Sequence, residues 1–347
     1  MTGLRVAVCL PQVPFERGGA EILADNLVDA LNRRGHEATL VTLPFKWYPD
    51  IVLLEHTLAW RMIDLSESNG RPIDLVIATK FPSYLIRHPR KVVWLVHQFR
   101  QAYDLHGTQF AQFDDEPRGV AMREAIREMD ANALGEAERL YAISRNVSDR
   151  LDRFNGLSAA PLLPPPQTLT HHHVSDDGSL LVVGRLDATK RVDLILRALA
   201  LVPNLNCTIV GEGGARTELE RLVRDLGIGD RVTLTGRVDA DDLARRYASC
   251  RAVVYTPLDE DYGFVPIEAH QAGKPVITTS DSGGPLDVVA DGESGLVCVP
   301  TPEALAVVMR RMQSDPDVAA RMGALGRTLA AGYSWDAAVD TLTASAR

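Results

Sequence analysis

Short apolar runs and amphipathic helical segments alternate along almost the whole chain, and this alternation constrains the fold most strongly. Leu4–Leu10 is a largely apolar run typical of a buried strand. Ala20–Arg34 follows with apolar residues at helical spacing, and Gly35 marks its end. A repeating strand–helix–strand pattern favours parallel strands with helices on both faces of the sheet. We therefore predict an α/β fold with doubly wound parallel sheets.

The other predicted elements continue this alternation. In the first half the strands are Ala38–Thr42, Ile51–Leu54, Ile73–Ala78, Val92–Val96 and Leu140–Ile143, and the helices are Arg118–Glu138 and Ser144–Phe154. In the second half the strands are Leu180–Gly184, Cys207–Gly211, Arg231–Gly236, Ala252–Tyr255 and Pro275–Thr279. Helices are predicted at Arg191–Leu201, Ala215–Leu226 and Val265–Ala272, with a mostly helical tail over Pro302–Arg347.

The alternation breaks at Ala160–His173, where three consecutive prolines argue against a helix or a central strand. We predict a linker over 166–175 that joins one domain over 1–165 to a second over 176–330, followed by a C-terminal segment over 331–347. The triple histidine ending at His173 suggests a metal site as an alternative. No carboxylate or cysteine stands beside it at ligand spacing, so a solvated linker is favoured.

Composition limits the class of partner and the compartment. The chain has 37 basic and 46 acidic residues, a net charge of −9, which argues against nucleic acid as the main partner. Its four cysteines form no CxxC pair and fit buried thiols in a reduced, cytoplasmic setting. No uncharged apolar stretch reaches the roughly 20 residues that span a bilayer. We predict a soluble protein, with peripheral contact at the inner face of a membrane as a further option.

The most informative motif is the string EDYGFVPIEAHQAG, which begins at Glu260. Glu260 lies in a loop after a predicted strand, and Glu268 lies eight residues later inside the next helix. Gly263 permits a tight turn between them. The N–H groups of Phe264 and Val265 would then be free donors at a helix N-terminus, which is a ready anion site. An acidic loop and a helix-capping glutamate would explain either acid alone, but the whole string favours a ligand site.

A second motif, GRLDATK, follows the predicted strand that ends at Gly184. Arg185 can bind two phosphate oxygens at once, and Lys190 supplies a compact point charge. Two solvated surface charges are the simpler interpretation. Combined with the anion site above, the pair favours binding of a diphosphate.

Three further motifs lie at predicted strand ends. Gly18-Gly19 would let the backbone approach a ligand, whereas Glu21 beside them suits the helix dipole and needs no catalytic role. The run VGEGG, from Val210, lacks the third glycine and the ribose-binding acid of a dinucleotide fingerprint. His97 follows an apolar strand and would face a ligand or be a structural histidine, with neither favoured.

Basic residues are concentrated near His97, at Lys80, Arg87, Arg90, Lys91 and Arg100. A solvated charged face is the common cause of such a run. The sharper alternatives are an acceptor that carries phosphate and an anionic membrane surface.

These motifs, in this order, resemble retaining glycosyltransferases of family 4, the glycogen-synthase-like and mannosyltransferase-like group. The resemblance rests on GGAE, GRLDATKRVDLILRAL, VGEGG, LTGRV and EDYGFVPIEAHQAGKPVI, and it is most specific in the second half. It implies a GT-B fold, in which two Rossmann-like domains face each other across a cleft. The first domain would bind the acceptor and the second the nucleotide sugar. The helix around Tyr333-Ser334-Trp335 would cross back onto the first domain.

The resemblance also implies roles for single residues. Glu268 would bind the ribose hydroxyls, Glu260 would lie near the transferred sugar, and Arg185 and Lys190 would hold the diphosphate. His97 would contact the donor sugar near the acceptor. Backbone groups would do the rest of the donor binding, at Gly18, Gly19, Gly184, Gly211, Gly213, Val238, Gly263, Phe264 and Val265.

The expected reaction is transfer of a hexose from a nucleotide diphosphate sugar, GDP-mannose or a UDP-sugar, to a hydroxyl acceptor with retention. No Asp-x-Asp pair directly follows the last residue of a predicted strand, so no metal or other cofactor is expected. The acceptor, which could be anionic or lipid-linked, and the oligomeric state stay open. A nucleotide-sugar epimerase of the same fold and a catalytically silent binding protein are the alternatives.

Overall fold

The computed structural model describes residues 3–167 and 173–346. The chain divides into two compact units, Met1–Pro164 with Ser334–Arg347, and Pro165–Tyr333. Half of the predicted linker at 166–175 lies outside the described residues, and so do two of the three histidines. Among the described residues no helix is long and apolar enough to cross a membrane.

The first unit contains eight strands and five helices in the described part of the chain. The strands are β1 (Arg5–Gln12), β2 (Glu37–Pro44), β3 (Glu67–Ser68), β4 (Arg71–Pro72), β5 (Leu75–Lys80), β6 (Lys91–His97), β7 (Arg139–Ala142) and β8 (Ala160–Pro161). The helices are α1 (Gly19–Arg33), α2 (Ile51–Met62), α3 (Pro117–Gly135), α4 (Arg145–Asn155) and, from the C-terminus, α11 (Trp335–Thr343).

Six of these strands form a parallel sheet in the order β2-β1-β5-β6-β7-β8, while β3 and β4 make a small antiparallel hairpin. The chain adds β2 on one side of β1 and then β5 on the other side, so the strand order changes direction between β1 and β5. Helix α11 packs inside this unit, where Arg34 bonds Asp340 at 2.8 Å and the Trp335 ring lies 6.3 Å from that of Trp94.

The second unit has six strands, β9 (Leu180–Val183), β10 (Cys207–Val210), β11 (Val232–Gly236), β12 (Ala252–Val254), β13 (Val276–Thr279) and β14 (Gly295–Cys298). Its helices are α5 (Val192–Ala200), α6 (Arg216–Asp225), α7 (Ala240–Ser249), α8 (Phe264–Gln271), α9 (Pro302–Ser314) and α10 (Pro316–Ala330). The sheet is parallel in the order β11-β10-β9-β12-β13-β14. This is the doubly wound order 3-2-1-4-5-6 of dinucleotide-binding folds.

Apolar residues cover both faces of the second sheet, as a parallel sheet requires. Along β9, Leu180 and Val182 belong to one buried cluster and Leu181 to a second cluster on the other face. Local sequence sets the helix boundaries, since Ser144 caps α4 by accepting the Val147 N–H at 3.0 Å. The predicted pair of Rossmann-like parallel-sheet domains is confirmed.

Two predictions of secondary structure were wrong. Ile51–Leu54 begins α2 and is not a strand, because a run of four apolar residues has no periodicity that separates a strand from a helix. Ala160–Pro161, at the start of the segment where the strand–helix alternation was predicted to break, instead pairs with β7 as the edge strand β8. An edge strand tolerates proline because one side of its backbone needs no partner. Helix α7, strand β14 and the β3–β4 hairpin were not predicted.

Candidate active site

Most of the predicted residues in the second unit lie where its strand order reverses, between β9 and β12. The chain leaves β9 towards β10 on one side and leaves β12 towards β13 on the other. Open α/β sheets bind ligands at the carboxyl edge of such a switch point, where two adjacent loops diverge. The loop after β9 carries Arg185 and Lys190, and the loop after β12 carries Glu260 and Gly263.

The switch point brings Lys190 and Glu260 into direct contact. The Lys190 ammonium donates to Oε2 of Glu260 in a close ion pair, and the two side chains are 12% and 24% exposed. The same ammonium lies 5.8 Å from the centre of the Tyr255 ring. This distance is within the range of a cation–π contact. The pair is therefore mostly, but not fully, shielded from solvent.

Arg185, the other predicted cation, is not part of this contact. Its side chain is 75% exposed, and its Nε atom lies 3.7 Å from the Asp187 carboxylate. Exposed pairs at such a distance contribute little. The Asp187 side chain also accepts the Thr189 N–H at 3.0 Å and so shapes the turn that carries Lys190.

Arg191, which sequence reasoning passed over, holds the loops together. It adopts a left-handed backbone with φ of 50° and donates to the carbonyl groups of Thr256 and Pro257 at 2.8 and 2.7 Å. Its two terminal nitrogens bind both carboxylate oxygens of Asp281 at 2.7 Å. One guanidinium thus joins the loops after β9, β12 and β13. The GRLDATK motif gives no sign of these contacts, because the three partners of Arg191 lie far from it in the sequence.

Backbone contacts fix Glu260 among the three consecutive acids at 259–261. Its N–H donates to the Ser282 carbonyl at 2.9 Å, and its carbonyl accepts the Gly284 N–H at 2.8 Å. These bonds form an isolated parallel bridge with the loop after β13. The eight-residue spacing selected Glu260, whose side chain contacts Lys190, and its role at the site stays a prediction.

Helix α8 begins directly after this loop. Gly263 precedes it with φ of 73°, and a Cβ there would lie 2.7 Å from Cε1 of Tyr255, so a larger residue is excluded. Phe264 and Val265 are the first two helical residues. The first amides of a helix have no partner within it and carry its positive dipole end. The predicted anion-binding amides thus start a helix beside the Lys190–Glu260 pair.

Glu268 lies one turn into α8 and is only 8% exposed. One carboxylate oxygen accepts the Tyr247 hydroxyl at 2.8 Å. Burial raises the pKa of Glu268, and the hydrogen bond from Tyr247 offsets part of that rise. Tyr247 comes from α7, a helix that the sequence interpretation missed, so this partner was missed as well.

Two of the predicted donor-binding glycines have a packing role. A Cβ on Gly211 would lie 1.8 Å from the Gly184 carbonyl oxygen, and one on Gly213 would lie 2.3 Å from that of Leu186. The loops after β9 and β10 therefore touch through their backbones. Val238 is half-buried and packs against the cluster that contains Tyr255.

In the first unit, the predicted Gly18 and Gly19 stand where β1 leads into α1. The Gly18 N–H donates to one oxygen of Glu21 at 2.8 Å, and the other oxygen accepts the Lys80 ammonium at 2.7 Å. Lys80 ends β5, the strand beside β1, so this pair lies at the switch point of the first sheet. Glu21 therefore does more than suit the helix dipole, because its carboxylate links the glycine turn to Lys80 at the end of β5.

His97 ends β6, and its Nδ1 atom lies 2.8 Å from the Gln98 carbonyl oxygen. The basic residues near it do not form a continuous solvated face, and that interpretation was wrong. Lys80 and Lys91 are buried, the latter bonding the Ala133 carbonyl at 2.8 Å. Arg100 pairs with Asp104 in a contact that is largely shielded. Arg87 and Arg90 are the two that lie exposed.

The described residues contain no group of three or more His, Cys, Asp or Glu side chains that could hold a metal ion. Each of the four cysteines is a free thiol.

Comparison with known proteins adds the following findings. The family model "Glycosyl transferases group 1" matches residues 170–329. An uncharacterized glycosyltransferase of Methanocaldococcus jannaschii is 33% identical over 347 positions, covering 86% of each chain. A D-inositol 3-phosphate glycosyltransferase of Streptomyces avermitilis is 36% identical over 172 residues, which are 46% of this chain and 37% of that protein. The chain thus spans well under half the length of that relative.

Solved structures share the fold. Sucrose-phosphate synthase from Thermosynechococcus elongatus superposes with a TM-score of 0.81 at 22% identity, covering 98% of both chains. HepE from Anabaena, solved with UDP and glucose, gives a TM-score of 0.70 at 16% identity, covering 97% of this chain and 99% of that one. At these identities the likeness concerns the fold alone.

Proposed function

The chain belongs to the group 1 glycosyl transferases, and from that premise we propose that it moves a hexose from a nucleotide diphosphate sugar to a hydroxyl acceptor with retention at the anomeric carbon. The donor is GDP-mannose or a UDP-sugar, and UDP occupies the structurally similar HepE. The product belongs to glycan, glycolipid or polysaccharide biosynthesis. A cytoplasmic setting is part of the proposal, since four free thiols suit a reducing compartment.

The observation that carries the proposal is the Lys190–Glu260 pair beside the first amides of α8. A nucleotide diphosphate sugar presents an anionic diphosphate next to a ring of hydroxyl groups. Lys190 and the helix amides suit the diphosphate, because both offer positive charge at short range. The Glu260 carboxylate suits the sugar hydroxyl groups, because it accepts hydrogen bonds.

In the proposed reaction, the bond between the anomeric carbon and the diphosphate oxygen breaks while the acceptor oxygen bonds that carbon on the same face. The acceptor proton passes to the departing phosphate oxygen, so no side-chain base is needed. Negative charge grows on the leaving diphosphate as the bond breaks. We propose that Lys190 and the α8 amides stabilise it, since preorganised charge of this kind is commonly the largest catalytic contribution.

Because these groups supply positive charge, we propose that the reaction needs no metal ion. Arg185 is a second proposed cation for the diphosphate, and its exposure makes it the weaker one. Glu268, which accepts a hydrogen bond from Tyr247, is proposed to accept further hydrogen bonds from the ribose hydroxyl groups. Gly18, Gly19 and His97 are proposed contacts of the diphosphate and the donor sugar from the first unit.

The test combines a binding screen with a turnover assay. UDP, GDP, ADP and TDP are compared by thermal shift, since a nucleotide that binds the folded state raises its melting temperature. The matching nucleotide sugars are then incubated with the protein and EDTA, and nucleotide release is followed. Release of one nucleotide in EDTA supports the proposal, and a strict need for added Mg²⁺ or Mn²⁺ would contradict its metal-free part.

Two other outcomes would replace the proposed reaction. Interconversion of nucleotide sugars without any acceptor would identify an epimerase. Tight nucleotide binding with no turnover across a panel of hydroxyl acceptors would identify a binding protein.

A further inference from the structure

One apolar surface of the first unit lies on and before helix α2. Of the exposed large hydrophobic residues among those described, five fall within sixteen consecutive positions. They are Trp47 at 40%, Tyr48 at 57%, Ile51 at 47%, Leu58 at 59% and Met62 at 75% exposure. We call these five residues the α2 surface. Such a concentration is unlike the single scattered hydrophobic residues of an ordinary surface.

The helix is apolar on both sides, which explains why its start resembled a buried strand. Leu53 and Trp60 are buried against the first unit, while Ile51, Leu58 and Met62 line the opposite side at helical spacing. A contiguous exposed apolar patch normally marks a surface that binds protein, a ligand or a membrane. In the described structure of this unit, the outer side of α2 is exposed.

We propose that the α2 surface docks onto the headgroup region of a zwitterionic phospholipid bilayer. The residues just before the helix have the chemistry of that region. Trp47 and Tyr48 pack edge to face at 5.4 Å, and the Lys46 ammonium lies 4.7 Å from the centre of the Tyr48 ring. Amphipathic aromatic and lysine side chains, with an apolar body and a polar tip, concentrate at membrane–water interfaces.

Charge selects a neutral lipid surface over an anionic one. Residues 45–62 contain two basic residues, Lys46 and Arg61, and two acidic residues, Asp50 and Glu55, so their net charge is zero in a chain of −9. Arg61 is already paired with Glu136. Glu55 is exposed on the same side of α2 as Leu58. An anionic surface would repel Glu55 and the chain as a whole.

The small area of the α2 surface argues against a second copy of the chain as its partner. The five exposed side chains present on the order of 500 Å² of surface, given full areas of roughly 150–250 Å² for aromatic residues. Stable complexes bury about 800 Å² on each partner. The α2 surface falls short of that, whereas reversible insertion into a lipid interface needs only a few apolar side chains.

Docking would place the acceptor side of the enzyme near lipid. Helix α2 begins just beyond the carboxyl end of β2, and that end pairs with the end of β1, which leads to Gly18 and Gly19. A glycolipid acceptor in the bilayer would therefore be presented to the edge of the sheet that carries the site. This last step rests on the proposed transfer reaction, whereas the docking itself does not.

The test is flotation with vesicles of phosphatidylcholine alone and of phosphatidylcholine mixed with phosphatidylglycerol. The double variant Leu58→Gln/Met62→Gln should lower partitioning into both by at least about tenfold, because two apolar side chains lose their transfer free energy. The matched control Val307→Gln/Leu325→Gln changes residues of 58% and 51% exposure in the second unit and should float like the wild type. Vesicles should also shift the Trp47 fluorescence to the blue, and Trp47→Phe should remove that shift.

Several results would overturn the proposal. These are no flotation with phosphatidylcholine, a strict need for phosphatidylglycerol, an equal loss in the control variant, and self-association that the α2 variant abolishes. Thermal shift by nucleotide is measured on the same samples. A normal nucleotide shift without flotation rejects the docking alone, and flotation without any nucleotide shift rejects the proposed transfer reaction alone.

Discussion

Each unit places a lysine–glutamate pair at the switch point of its sheet, and the two pairs differ in what holds them. In the first unit, Lys80 ends a strand and Glu21 lies in the first turn of a helix, with side chains 11% and 12% exposed. In the second, Lys190 ends a single 3-10 turn after β9 and Glu260 lies in the loop after β12, with side chains 12% and 24% exposed. The first pair is built into regular elements, whereas the second stands where loops can meet a ligand.

The carboxylate partners show the same contrast. One oxygen of Glu21 is occupied by the Gly18 N–H, so the pair holds the glycine turn in place. Glu260 is fixed through its backbone, which leaves its side chain to meet Lys190. Similar chemistry at equivalent points of two similar sheets thus serves stability in one unit and, as proposed, donor binding in the other.

The largest expected effect tests the structural pair. Lys80→Met leaves the Glu21 carboxylate without its ion-pair partner in a nearly buried position. Loss of one partner from a buried pair costs about 3–5 kcal/mol of unfolding free energy. Urea unfolding should show this loss, and the double variant Lys80→Met/Glu21→Gln should recover much of it. If the single variant were as stable as the wild type, the assigned role of the pair would be wrong.

The next effect tests the pair on the loops. Lys190→Ala should reduce kcat by about 100–1000-fold, which corresponds to roughly 2.7–4 kcal/mol of barrier. Its melting temperature should fall less than that of Lys80→Met, because the Glu260 carboxylate is more exposed than that of Glu21 and is better solvated once it loses its partner. Arg245→Ala, in an exposed ion pair on α7, serves as the control and should keep full turnover. Turnover is measured as nucleotide release at saturating donor.

A third test compares two buried carboxyl groups, each bonded to a tyrosine hydroxyl. Burial raises the pKa of Asp130 in the first unit to about 7, and Tyr103 donates to it at 2.7 Å. The unfolded pKa is about 3.9, so the folded state binds this proton more tightly. Stability therefore falls as pH rises towards 7, by about 2–3 kcal/mol between about pH 5 and about pH 8.

Asp130→Asn should remove this part of the pH dependence, which unfolding at the two pH values would reveal. Glu268→Gln, the counterpart in the second unit, should instead raise KM for the donor at constant pH. An unchanged pH profile in Asp130→Asn would argue against a raised pKa in the folded state.

The smallest effect concerns Arg185. Since its side chain is largely exposed, Arg185→Ala should lower kcat/KM by less than about fivefold, in line with the roughly 0–1 kcal/mol of an exposed charge contact. Initial rates at low donor concentration give this ratio. A loss as large as that of Lys190→Ala would show that Arg185 reaches the diphosphate in the complex and would make the two cations equal partners.

Sequence periodicity located most of the strands and helices, because buried parallel strands and amphipathic helices leave distinct patterns. It failed at Ile51–Leu54, where a helix with two apolar sides has no distinguishing pattern. At the candidate site, spacing pointed to Glu260, Gly263 and Lys190 because these belong to short contiguous motifs, and the structure places them on the two loops of one switch point. It could not find Arg191 or Tyr247, since their partners are distant in the chain.

The hydrogen bonds of Arg191 to three loops have a consequence for how a protein with this candidate site could change its ligand. Its five hydrogen bonds to Thr256, Pro257, Thr279 and Asp281 join the loops after β9, β12 and β13 into one unit. Side chains that project from these loops can be exchanged without disturbing the backbone that Arg191 holds. Insertions or deletions in any one of the three loops would strain the other two. Specificity should therefore evolve here by substitution and not by changes in loop length.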